Sequence, residues 1–140
     1  MRQLIMAVLT ITVSLSLASC GSSEDSSGSN VIDDISNIFS DSANVLTVKD
    51  AYIQACATAT LGEMADAFMT NPQWRDFEGS SGNTIVELTG EISYDGLPAE
   101  ALIQFEISGG SFEAIYLGIN NVDQNRLMLS ALLNNMCDAA

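Results

Sequence analysis

The sequence predicts an α+β domain: an antiparallel meander of three to four strands, with N-terminal helices and a C-terminal helix packed on one face. Three observations carry this expectation. Thr60-Leu61-Gly62-Glu63 is a capping box that opens an apolar stripe at helical spacing. From Val86 to Ile119 apolar and polar residues alternate, interrupted by the turn pairs Asp95-Gly96 and Gly109-Gly110. Leu129, Leu132, Leu133 and Met136 then return to helical spacing at the end of the chain.

Each element has its own signal. Thr47-Val48-Lys49-Asp50 places a capping residue three before an acid, so a helix is expected to start there, with Val48, Ala51, Tyr52 and Ala55 inward and Cys56 nearby. Leu61, Met64, Ala65, Phe68 and Met69 form the stripe of the next helix, ended by Asn71-Pro72. Trp74 and Phe77 bracket a short segment suited to a first strand. Gly79 to Asn83 is a turn cluster. Val86, Leu88, Ile92 and Tyr94 alternate with Glu87, Thr89, Glu91 and Ser93, a half-buried strand with Gly90 at a close approach or bulge. Ala101, Ile103, Phe105 and Ile107 define the next strand, and Phe112 to Ile119 a third. The terminal helix is expected from about Asp123 to Asp138, with Asp123 favoured at its start by the helix dipole. Consecutive strands on short turns pair antiparallel, and helices covering one face complete an α+β layer.

The first third of the chain reads differently. Arg2 precedes an apolar run, Leu4 to Leu17, too short for a membrane helix of about 20 residues but suited to an export signal. Leu17-Ala18-Ser19-Cys20 resembles the bacterial lipobox at all four positions. That resemblance implies cleavage before Cys20 and a lipid on its thiol, chemistry that needs a thiolate. Two or three acyl chains, at roughly 0.8 kcal/mol per buried methylene, hold a protein on a bilayer. Gly21, where Asp would resemble an inner-membrane retention signal, leans the expectation toward the outer membrane. Residues 21–30 have no apolar side chain and read as a flexible, acidic Ser/Gly leash. Val31, Ile32, Ile35, Ile38 and Phe39 then recur at helical spacing, and Asp41 to Asn44 breaks the pattern. The expected organisation is a signal peptide (1–19), the lipidated Cys20 with its tether (20–30), a short amphipathic helix and linker (31–45), and a globular domain (46–140).

Charge and cysteines narrow the function. The chain carries 18 acidic residues against four Lys and Arg, a net charge of −14. Such a surface repels phosphate backbones and anionic lipid headgroups, so nucleic acid is not expected as a partner; dispersed acids read first as a solvated surface that keeps the domain soluble, with a docking face for a basic protein as the alternative. With Cys20 lipidated, Cys56 and Cys137 remain, and in an oxidising compartment two thiols make one disulfide. Two cysteines and no histidine do not make a zinc site.

Val48 to Leu133 resembles an uncharacterised small α+β family that recurs in bacterial lipoproteins and in zinc-ribbon membrane proteins. The residues that carry the resemblance are Thr60-Leu61-Gly62-Glu63, Phe68, Asn71-Pro72, Trp74 and Val86-Glu87-Leu88-Thr89-Gly90. Further on they are Ala101-Leu102-Ile103-Gln104-Phe105, Phe112-Glu113 and Gln124-Asn125-Arg126-Leu127. The zinc ribbon is absent, and the resemblance brings no catalytic residue and no cofactor.

The search for chemistry gives little. Without histidine the commonest base near neutral pH is missing, and no serine has a visible base partner. Glu87 and Glu91, with Glu106 nearby, are expected on one outer sheet face; paired carboxylates could serve glycoside hydrolysis or calcium, but an exposed acidic face is the simpler reading. Trp74 beside Arg75 is the candidate interaction pair, since both types are enriched in interface hot spots, although a lone Trp after a helix more often fills a core. Asn120-Asn121 and Gln124-Asn125 read as turn and cap residues. The expectation is therefore a lipid-anchored envelope protein acting as a non-enzymatic protein-interaction module. An inhibitor or immunity protein against a periplasmic enzyme or toxin is the alternative.

Overall fold

A computed structural model describes residues 41–140. The signal peptide, Cys20, the tether and the apolar segment 31–39 lie outside the described residues. The elements run α1 (Ala43–Lys49), β1 (Tyr52–Ile53), β2 (Cys56–Thr60), α2 (Leu61–Phe68), β3 (Thr70–Glu78), β4 (Thr84–Tyr94), β5 (Leu97–Ser108), β6 (Ser111–Ile119), β7 (Val122–Asp123) and α3 (Arg126–Ala139). Strands β3 to β7 form one antiparallel sheet in sequence order, and β1 pairs with β2 in a separate two-stranded sheet. The class is α+β as expected, with more strands than the three or four expected of the meander.

Of the additional strands, β1 and β2 come from a segment that the apolar spacing assigns to helix, and β7 from the expected start of the terminal helix. The first helix starts earlier, at Ala43, because Ser42 is its cap: its hydroxyl accepts from the Val45 amide. Thr47, expected to cap, lies inside the helix and donates its hydroxyl to the Ala43 carbonyl. The helix stops at Lys49. The amides of Asp50 and Ala51 bond back to Leu46 and Val48, and the chain turns into the β1–β2 hairpin. Residues 42–45, expected as linker, therefore belong to the domain. Val45 is buried in its core.

α2 forms where the capping box sits. Thr60 accepts from the Glu63 amide, and the Glu63 carboxylate accepts from the Thr60 amide at 2.8 Å. The bond from the Thr60 amide, and then one from the Thr60 hydroxyl at 3.1 Å, lower the Glu63 pKa. The helix ends at Phe68. Asn71-Pro72 falls inside β3, at a register shift on the free edge of the sheet, where a residue without an amide proton costs no ladder bond. Asn71 takes the left-handed conformation there, with φ of 51°. Across the ladder Gly90 faces this shift. A methyl group on it would meet Met69 Cβ and Sδ at 3.0 Å, so the side chain of Met69 fills the place of the missing one.

The hairpins follow the turn residues. Asp95 and Gly96 both have positive φ, 51° and 79°, the geometry that matches strand twist in a two-residue turn. Asn120 and Asn121 make the same kind of turn between β6 and β7. α3 begins at Arg126, later than expected: Asn125 is the cap, accepting from the Met128 amide at 2.9 Å. Asp123 is instead a β7 residue that accepts from the Tyr116 hydroxyl.

One core joins the helices to the sheet. Val86, Leu88, Ile92, Ala101, Ile103, Phe105, Leu117 and Ile119 alternate along their strands and meet Val45, Val48, Leu61, Met64, Leu129 and Met136. Burying a side chain of this size contributes roughly 1.5–3 kcal/mol, so this shared face supplies most of the drive to fold. Asp76 fastens α1 to the sheet edge, accepting from Ser42 at 2.8 Å and Asn44 at 2.7 Å. Cys56 and Cys137 form a disulfide, with Cα atoms 5.6 Å apart, that joins β2 to α3.

Candidate functional site

Trp74 and Arg75 are neighbours on one strand, and strand geometry sends neighbours to opposite faces. Trp74 lies inward, stacked on Phe105 with ring centres 6.3 Å apart. Its indole nitrogen is buried and has no hydrogen-bond partner. Arg75 lies outward, its guanidinium 5.3 Å from the centre of the Phe77 ring. The two side chains therefore do not form one contact surface.

On the outer face, Arg75, Glu87 and Gln104 stand opposite one another on three adjacent strands. Arg75 Nε donates to Glu87 Oε1 at 2.6 Å and Gln104 Nε2 donates to Oε2 at 2.8 Å. A second Arg75 nitrogen pairs with the same carboxylate. Glu87 is only 2% exposed, so the expectation of three exposed acids on this face is corrected. Its partners cover it from both sides. Glu91 is exposed opposite Glu100, and Glu106 faces Ile85 and Glu113. Both oxygens of the Glu87 carboxylate are taken by Arg75 and Gln104, and Glu91 lies four residues farther along β4. Farther along the sheet, the Tyr116 hydroxyl donates to Asp123. That bond, then desolvation and the carboxylate's charge, raises the Tyr116 pKa.

The concave feature lies on the other side. A cleft of about 830 Å³ opens between the β1–β2 hairpin, α3 and the β5–β6 turn. Its floor is Phe105 and Phe112, whose rings meet edge to face at 6.0 Å. Ile53 forms one wall, and Leu129 and Leu133 the other. The rim is polar and carries Thr47, Gln54, Ser130 and the Arg126–Glu113 ion pair. Both ions of that pair are about 70% exposed (72% and 68%), so it is an easily exchanged surface pair. The volume and the mixed lining suit a binding site. No periodicity marks it, because its residues come from five elements; in the sequence Phe112 and Arg126 stand out as a strand residue and a residue of the terminal helix that carry the family resemblance, not as parts of a cleft.

The described residues hold no group of three or more His, Cys, Asp or Glu placed to bind a metal ion, and no helix among them is long and apolar enough to cross a membrane. Comparison with family models, with curated proteins and with solved structures finds no match to this chain.

Proposed function

We propose that this chain is a lipid-anchored cell-envelope protein, held by Cys20 and facing the periplasm or the cell surface from the outer membrane, whose domain binds another protein and carries out no reaction of its own. The observation that carries the reading is Leu17-Ala18-Ser19-Cys20 at the end of a short apolar run. The Cys56–Cys137 disulfide agrees with it, because such bonds persist in oxidising compartments. Cleavage before Cys20 would remove Arg2 and leave three cations against all 18 acids, a net charge of −15 that favours a basic partner. Kinship with the small α+β family of lipoproteins and zinc-ribbon membrane proteins is part of the same proposal. The test is the intact mass of the protein extracted from membranes. The reading expects a chain starting at Cys20 with added diacylglyceryl and acyl mass, and a Cys20→Ser chain that stays unmodified and leaves the membrane fraction. Unmodified protein in the soluble fraction of wild-type cells would overturn it.

A further inference from the structure

We infer that the cleft between the β1–β2 hairpin and α3 is a docking site for the chain's own segment Val31–Phe39. Four observations converge on that occupant. The cleft leaves aromatic and aliphatic side chains, Phe112 and Leu129 among them, lining an open groove. Tyr52 of β1, which lines the cleft, is 62% exposed, and Leu46 of α1, next to the lining residue Thr47, is 43% exposed. Segment 31–39 supplies a matching stripe, Val31, Ile32, Ile35, Ile38 and Phe39, directly ahead of α1. A helix that short is marginal in water by itself, so its apolar side needs a surface to cover.

The connection has the reach. Lys49 Nζ pairs with Asp41 at 2.7 Å and so ties the start of the described chain to the C-terminal end of α1. That is the end at which Thr47 and Ala51 line the cleft. Ten residues, 31–40, span roughly 15 Å as helix and about 33 Å extended, against roughly 10 Å for α1 itself. That reach brings the apolar stripe of the segment within range of Leu46 and of the groove. Asp33 and Asp34 are the only charged residues of the segment, and the charged residues lining the cleft, Arg126 and Glu113, are paired with each other, so the match rests on apolar surface and reach. A short tether presents a segment at about millimolar effective concentration, so a weak intrinsic affinity of that order already half-fills the site. A partner that uses the cleft then competes with the chain's own segment. This inference stands independently of the lipid anchor.

The experiment places a photoreactive amino acid at position 35, or separately at 38, in the full-length chain made in cells. The expected product is an intramolecular crosslink from position 35 to peptides carrying Tyr52, Phe112 or Leu129. Ser130→Glu with Gln54→Glu, two exposed lining positions, should lower its yield at least threefold by repelling Asp33 and Asp34, with the thermal midpoint unchanged. Crosslinks to lipid, to another polypeptide or to another face of the domain would overturn the inference. So would no crosslink from either position, or a yield indifferent to the two added carboxylates.

Discussion

Removing the Cys56–Cys137 crosslink should cost this domain a large part of its stability. The two residues are 81 apart in sequence. Loop-closure entropy for a ring of that size amounts to about 4.5 kcal/mol at 25 °C, and measured values for disulfides run lower, at about 2–4 kcal/mol. A domain of this length is stable by about 5–15 kcal/mol in total. The assay is urea unfolding of the oxidised protein beside the Cys56→Ala/Cys137→Ala variant. Cys56 is buried, so alanine also removes packed sulfur there. Reduced wild-type protein keeps both sulfur atoms and separates that effect from the crosslink. Reduced protein and the double variant should both lose about 2–4 kcal/mol, and both should show a steeper denaturant dependence because their unfolded chains expose more surface. A loss below about 1 kcal/mol in reduced protein, with an unchanged slope, would refute the reasoning; loop closure by this bond would then not constrain the unfolded chain.

Three further outcomes follow from named contacts. Arg75→Ala leaves a buried carboxylate with Gln104 as its remaining partner and should cost about 1–3 kcal/mol in urea unfolding, softened by the water that reaches Arg75; the paired change Arg75→Met with Glu87→Leu should recover most of that loss. Trp74→Phe deletes an indole N–H that has no partner and should stay within about 1 kcal/mol of wild type, whereas Trp74→Ala should cost about 3–5 kcal/mol, both read from the same denaturation curves. Tyr116 holds its proton more tightly folded than unfolded, so its contribution to stability is complete below the ordinary tyrosine pKa of about 10 and is lost as pH rises through its higher folded value. Absorbance titration should show the Tyr116 ionisation moving to lower pH in Asp123→Asn than in wild type.

What could be read from the sequence was local. The Thr60–Glu63 cap, the Asp95-Gly96 turn and the order of the long strands each depend on residues a few positions apart. The start of α1 was misplaced because Ser42 and Thr47 both satisfy the rule for a cap, and the choice between them is made elsewhere, by Asp76 on β3 receiving Ser42 and Asn44. The segment after Lys49 has helical apolar spacing, yet its Tyr52 is exposed and its Cys56 is tied to α3, so a tertiary bond overrides the pattern. Alternation placed Glu87 on the outer face, where it lies. Its burial depends on register, which sets Arg75 and Gln104 opposite it from strands 12 and 17 residues away. A single sequence contains the residues of that row but not the alignment that brings them together. The cleft is the extreme case, since no two of its walls are adjacent in sequence.

The disulfide and the cleft belong to one argument. The hairpin wall ends at Gln54-Ala55, and the next residue is Cys56; the opposing wall is Leu129 and Leu133, one helical turn before Cys137. A two-residue strand paired to a short partner is at best marginally stable alone. The hairpin keeps its position beside α3 through the bond at its base, the packing of Ile53, Cys56 and Ala59 on the core, and the bond from the Leu61 amide to the Ala51 carbonyl at 3.0 Å. Reduction removes the first restraint and leaves the others. The hairpin wall of the groove is then held less firmly, while the sheet, whose ladders do not involve the bond, remains. Binding in a cleft built in this way would depend on the disulfide, a bond that persists in the oxidising compartment a chain anchored at Cys20 would occupy.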